Sequence, residues 1–124
     1  MNHELDIFDL QAQLCQSLGN ALRLRIIHTL KEGAKSVNEI ATLVGASQPT
    51  ASRHLSILRS TGLLTAHRKG IEIYYEITNP KVVEVCEMMR GILAERELKQ
   101  LDLLHCIQSQ KEVIYVTKKV AKKT

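Results

Sequence analysis

Apolar positions recur every three to four residues along most of this chain, and the interval shortens to two only once. Leu5, Phe8, Ala12, Cys15 and Leu18 share one stripe of a first amphipathic helix, which Gly19 ends. Leu22, Ile26, Ile27 and Leu30 mark a second helix over Ala21 to Lys31, with Arg23 and Arg25 on other faces and Gly33 in the place of a left-handed C-cap. The segment SVNE, Ser36 to Glu39, has the capping-box pattern, in which the Ser hydroxyl takes an orphan backbone N–H and the Glu reaches back to the cap. A short helix over Val37 to Val44 should follow, closed by Gly45. Ser47 then caps a helix from Gln48 to Ser60, with Pro49 in its first turn, where the missing N–H costs nothing, and Gly62 stops it.

Two short helices joined by a tight Gly-containing turn form a helix-turn-helix. The period then changes: LLTAHRKGIEIYYEI, Leu63 to Ile77, alternates on both sides of RKG, with Ile71, Ile73, Tyr75 and Ile77 on one face and Glu72, Tyr74 and Glu76 on the other. This pattern is a β-hairpin. Thr78 to Pro80 is a helix-start signal for a long last helix reaching about Leu104, whose stripe is Val82, Cys86, Met89 and Leu93. The predicted fold is mainly α with a small β-hairpin, a winged helix-turn-helix in the order α-α-α-α-β-β-α. The last stripe is longer than so small a core can cover, so with the first helix it is the expected dimer interface. Residues 1–104 form one winged-helix domain for DNA binding and dimerisation, and 105–124 form a basic C-terminal extension expected to be solvated, with DNA contact by its lysines as the alternative.

Composition narrows the picture. A chain of 124 residues fits one domain, near the size at which a partner subunit often completes the core. With one Phe, three Tyr and no Trp, that core must be built from Leu, Ile and Val. The net charge of +4 permits attraction to phosphate without demonstrating it. Three widely spaced cysteines without a CxxC pair indicate neither a disulfide framework nor a zinc ribbon, which favours a reducing cytoplasm. The N-terminal MNHELDIFDLQAQL has acids where a signal peptide needs basic residues, and no apolar run approaches the roughly 20 residues that span a bilayer, so no membrane partner is expected. A Gly-rich phosphate loop, clustered carboxylates and a Cys/His nucleophile pattern are all missing, and the five His are scattered, so an enzyme is the least expected class.

Chemistry concentrates on Gln48 to Ser60. Ala51, Leu55 and Leu58 must face the core, which leaves Gln48, Thr50, Ser52, Arg53, Ser56 and Arg59 outward. Gln suits adenine, Arg suits guanine or phosphate, and short hydroxyls allow close approach to a phosphate backbone. No acidic residue occurs from Ser47 to Arg68, whereas a merely solvated helix would use Glu and Lys freely. The hairpin tip His67-Arg68-Lys69-Gly70 adds positive charge where a turn can reach a phosphate backbone or minor groove. The expected partner is a double-stranded DNA operator. A winged helix that docks a protein, or an architectural protein coating DNA without sequence preference, are the competing classes, and the polar acid-free face argues against the first.

Three stretches, LGNALRLRIIHTLKEG (Leu18 to Gly33), VNEIATLVGASQPTASRHLSILRSTGLL (Val37 to Leu64) and RKGIEIYYEI (Arg68 to Ile77), resemble the ArsR/SmtB family of bacterial winged-helix transcriptional repressors. The likeness covers about Leu14 to Leu93. It implies a homodimer formed by the first and last helices, operator binding in the absence of a signal, and release by a metal or other inducer. It also implies DNA contacts at Ser47, Gln48, Thr50, Ser52, Arg53 and His54, and at Arg68 and Lys69 on the wing, with His54 divided between groove and helix edge because Leu55 beside it faces inward.

The resemblance does not carry over to an inducer site. The Cys-x-Val-Cys motif of arsenic and soft-metal sensors in the family is missing, since the corresponding VNEIATLV has no Cys. Lys81 to Leu104 has no His for the zinc or nickel site, and the second helix lacks the Cys of the persulfide sensors. The candidates left are the thiols Cys15, Cys86 and Cys106, as a site for a soft metal, a metalloid or a thiol-reactive signal; no cofactor is otherwise required, and no metal is assigned. Cys86 and Cys106 lie about 30 Å apart on one continuous helix, so they meet only across an antiparallel dimer. Cys86 is expected as inert core on its stripe, and Cys15 with Cys106 as the responding pair.

Overall fold

The computed structural model describes Glu4 and residues 6–97, without the side chain of Glu97. Its elements are α1 (Ile7–Leu18), α2 (Ala21–Thr29) with a 3-10 turn (Leu30–Glu32), β1 (Lys35–Ser36), α3 (Val37–Val44), α4 (Gln48–Ser60), β2 (Leu64–Lys69), β3 (Glu72–Ile77) and α5 (Lys81–Glu97). Cys106, the stretch to Leu104 and the 105–124 extension lie outside the described residues. The described residues divide into two compact units, one up to Val83 and one from Glu84 on.

The first unit is built on α2, α3 and α4, which pack on one another, with α1 against α2 and the sheet against α3 and α4. Ile26, Ile27, Ile40, Leu55, Leu58 and Leu64 are buried at its centre, joined by Tyr75 from β3. Each such aliphatic side chain contributes about 1.5–3 kcal/mol by leaving water. The capping box at α3 forms as the spacing predicts: the Glu39 N–H donates to Ser36 Oγ at 3.2 Å and the Ser36 N–H donates to Glu39 Oε1 at 3.1 Å. Gly45 closes α3 in the left-handed region at φ 70°, and Ser47 caps α4.

Several expectations are corrected. The sheet has three strands in the order β1-β3-β2, since Lys35 and Ser36 pair with Tyr75 and Tyr74; the α-α-α-α-β-β-α order therefore gains a strand before α3. Two residues carry no readable period, and Ser36 also serves as the α3 cap, which masks its strand pairing. The second helix ends at Thr29, not Lys31, and tightens into the 3-10 turn, so Gly33 keeps a positive φ of 139° but, with ψ 177°, lies outside the left-handed helical region of an αL cap. Helix α1 starts at Ile7 behind a second capping box, with the Asp9 N–H on Asp6 Oδ1 and the Asp6 N–H on Asp9 Oδ2.

The predicted stripes also divide differently. On α1, Phe8, Ala12 and Cys15 are exposed and only Leu18 of the described stripe is buried. On α5, Val82 and Cys86 are buried but Met89 and Leu93 are exposed, and they join Val85, Met88 and Ile92 on a second apolar face. Helical spacing identifies apolar positions without saying what covers them. On the hairpin, Tyr75 is buried and Ile77 half-buried, whereas Ile73 and Ile71 are exposed.

Candidate nucleic-acid interface

The local chemistry of α4 sets what its outer surface offers. Burial of Ala51, Leu55 and Leu58 fixes the helix's rotation, which leaves Gln48, Arg53, Ser56 and Arg59 exposed and Thr50 and Ser52 half-buried beside them. The Ser47 hydroxyl accepts the Thr50 N–H at 3.3 Å and donates to Thr50 Oγ1 at 2.9 Å. Ser47 is therefore the cap that holds the first turn, and its donation leaves the Thr50 hydroxyl its own proton to give to an acceptor outside. The N-terminal ends of α1 and α3 carry Asp9 and Glu39, but the first turn of α4 has no acid. Its partial positive charge stays uncompensated and suits a phosphate.

His54 lies at the helix edge. Its Nδ1 is 3.4 Å from Arg23 Nη1, and Arg23 Nε donates to the Ser17 carbonyl at 2.6 Å. Burial, then Arg23, then Arg53 hold its pKa below the ordinary histidine value of 6.5. Of the two positions expected for this residue, the contact observed is the one at the helix edge.

The wing presents a second basic surface. Strands β2 and β3 pair from Leu64 with Ile77 to Lys69 with Glu72, and Gly70 and Ile71 make the turn. Gly70 has φ 66° while Ile71 keeps a negative φ, the pattern of a type II′ turn, which matches the twist of the strands. Arg68 and Lys69 are exposed just before it. His67 and Tyr74 face one another across the ladder with ring centroids 5.9 Å apart and planes 16° from parallel, and Lys69 Nζ lies 6.0 Å from the Tyr74 centroid. Stacking and the cation–π contact hold His67 and Lys69 on the Tyr74 face, while Arg68, opposite Ile73, lies on the other face of the hairpin.

Two wing residues gained no role from sequence. Tyr74 counts as polar in the alternation, though the RKG turn places it opposite His67. Ile71, assigned to the buried face, is 96 % exposed because it belongs to the turn and not to the ladder. Arg23 was likewise only a polar position on another face; its partner is 31 residues away, beyond the reach of any local pattern.

Among the thiols, Cys15 is exposed and Cys86 is buried. Burial pushes the Cys86 thiol above its ordinary value; Arg90 pulls the other way and Glu87 adds to the rise. Among the described residues no group of three or more His, Cys, Asp or Glu is placed to hold a metal ion.

The sequence model for bacterial regulatory proteins of the arsR family matches residues 20–66. The biofilm growth-associated repressor of Xylella fastidiosa is 33% identical over 86 residues, which cover 69% of this chain and 75% of that protein. The transcriptional repressor PagR of Bacillus anthracis is 33% identical over 95 residues, 74% of this chain and 95% of PagR. Among solved structures, the homodimeric winged helix-turn-helix DNA-binding domain of Mb0332 from Mycobacterium bovis superposes with a TM-score of 0.65 at 32% identity, covering 77% of this chain and 92% of that one.

Proposed function

The chain belongs to the arsR family of bacterial regulatory proteins, and from that premise we propose that it is a homodimeric, sequence-specific transcriptional repressor of the cytoplasm that binds a double-stranded DNA operator and has no catalytic role. The observation that carries this reading is the acid-free surface of α4, with Gln48, Arg53 and Ser56 exposed on a helix whose other face is locked into the core. In this reading Gln48 and Arg53 read base edges, while Ser47, Thr50, Ser52 and Ser56 approach the phosphates. His54 offers at most its Nε2 edge, and Arg68 and Lys69 neutralise phosphate beside the minor groove.

Dimerisation is supported by exposed apolar side chains on α1 (Ile7, Phe8, Leu10, Leu14) and, separately, on α5 (Val85, Met88, Met89, Ile92, Leu93). The inducer side of the reading is a thiophilic signal, a soft metal, metalloid or thiol-reactive compound, acting at Cys15 together with Cys106. Cys15 is accessible, whereas Cys86 is buried with its thiol held protonated, the reverse of what a reactive thiol needs.

Selection from a random duplex library tests the core of the reading. A single sequence class with two-fold symmetry should be enriched, with half-sites about 34–36 Å apart or a multiple of that. Equal affinity for enriched and random duplexes would leave a coating protein, and no affinity for either a protein-docking winged helix. Serine at both Cys15 and Cys106 should abolish release by arsenite, cadmium or persulfide; release that persists sinks the thiol arm.

A further inference from the structure

Arg23 stands at the start of α2, where its N–H donates to the capping Asn20 side chain at 3.1 Å. Its guanidinium reaches two neighbours. On one side Nε donates to the Ser17 carbonyl, one of the last four carbonyls of α1, which have no partner within that helix. On the other side Nη1 meets Nδ1 of His54 in the middle of α4. His54 sits between Arg53, which is exposed on the reading surface, and Leu55, which is fully buried. A rotation of α4 that moves Arg53 also moves His54.

We propose that Arg23 is a positioning residue that ties the recognition helix to the end of α1 through His54, and that a proton on His54 opens this tie and weakens operator binding. The proposal rests on the reading of α4 as the DNA-reading helix. Arginine only donates, so His54 Nδ1 accepts and the ring proton resides on Nε2. A second proton would place an N–H on Nδ1, aimed at a guanidinium, so the bond is lost and two cations face one another. The charged groups acting on the ring are Arg23 from α2 and Arg53 from α4 itself, and α1 offers the Ser17 carbonyl to the same guanidinium. Burial and both arginines resist protonation, which keeps the tie closed near neutral pH. A histidine that touched phosphate directly would behave oppositely, since its charge in acid would tighten binding.

The test compares the selected operator with a random duplex of equal length by fluorescence anisotropy, from about pH 7.5 down to the pH at which the His54 ring signals of the free protein show it protonated, below the ordinary histidine value. The wild-type ratio of specific to random affinity should fall about tenfold in acid, the effect of one hydrogen bond to a charged group. His54→Asn, whose amide oxygen accepts in place of Nδ1 but does not titrate, should hold the ratio constant. Arg23→Gln should show a low ratio at both ends; if it does not fold, His54→Asn carries the comparison alone. A wild-type ratio that is flat or rises in acid, or a His54→Asn protein that follows the wild type, overturns the proposal. Long-range 1H–15N NMR of the free protein separates this from failure of the repressor reading. If no duplex is enriched, the tie still requires the Nε2–H tautomer and α4 amide shifts that move as His54 titrates; the Nδ1–H tautomer, or α4 amides indifferent to His54, would sink it.

Discussion

Arg53 and Lys69 both carry one positive charge, yet their surroundings assign them different tasks. Arg53 is exposed on α4, the helix proposed to enter the groove, so Arg53→Ala should cost about 1–3 kcal/mol at one base pair and relax the preference there. Lys69 sits beside the wing turn, so Lys69→Ala should weaken all duplexes alike and reduce the slope of log affinity against log salt by about 0.9. Anisotropy across a salt series and a panel of single-base operator variants separates the two. His54 adds a prediction for stability. Its folded pKa lies below 6.5, so the unfolded chain takes up the proton more readily. Stability is therefore complete above the ordinary histidine value and declines as pH falls from about 6.5 through the depressed folded value. Urea midpoints should drop over that window in the wild type, and His54→Asn should lack that part of the drop. These residue identities were visible in sequence; the Arg23 contact that holds His54 at the helix edge was not, because it is made in three dimensions.

At the scale of elements, legibility follows how local the determining chemistry is. Both bounds of α3 and α4 could be read directly, because Ser36 with Glu39, Gly45, Ser47, Pro49 and Gly62 act within one turn of the backbone they end or begin. Strand β1 could not, since its pairing with Tyr74 and Tyr75 depends on residues nearly forty positions away. The 3-10 turn at Leu30–Glu32 likewise leaves the apolar spacing unchanged while altering the backbone that follows. The same distinction predicts how α4 fails. Leu55→Ala removes a fully buried side chain and should cost about 2–5 kcal/mol in global stability. Ser47→Ala removes the cap, together with a hydroxyl proposed to approach phosphate, but no core side chain, and should cost about 0.5–2 kcal/mol in stability. The cap holds the turn that carries Gln48 and Thr50, so urea unfolding beside operator titration should show Ser47→Ala losing more in binding than its stability loss explains.

At the scale of the whole molecule, helical spacing alone makes α5 one apolar stripe, and the structure divides it in two. Val82 and Cys86 are buried, while Val85, Met88, Met89, Ile92 and Leu93 recur at intervals of three, four, seven and eight residues on an exposed face, Met88 and Ile92 each 64% accessible. Five large apolar side chains in one exposed row are more than a monomer keeps in water without function, and a second copy is the occupant that the proposed two-fold symmetric operator requires. Ile92→Glu would place a charge in that row without touching the buried positions. Sedimentation equilibrium should then report a monomer, with the far-UV circular dichroism of the wild type. Because two reading heads must span a fixed number of turns, the monomer should lose preference for the selected operator while keeping weak, salt-dependent affinity for random DNA. A variant that remains dimeric and binds its operator normally would remove α5 from the interface and leave the exposed Ile7, Phe8, Leu10 and Leu14 of α1 to hold the dimer alone.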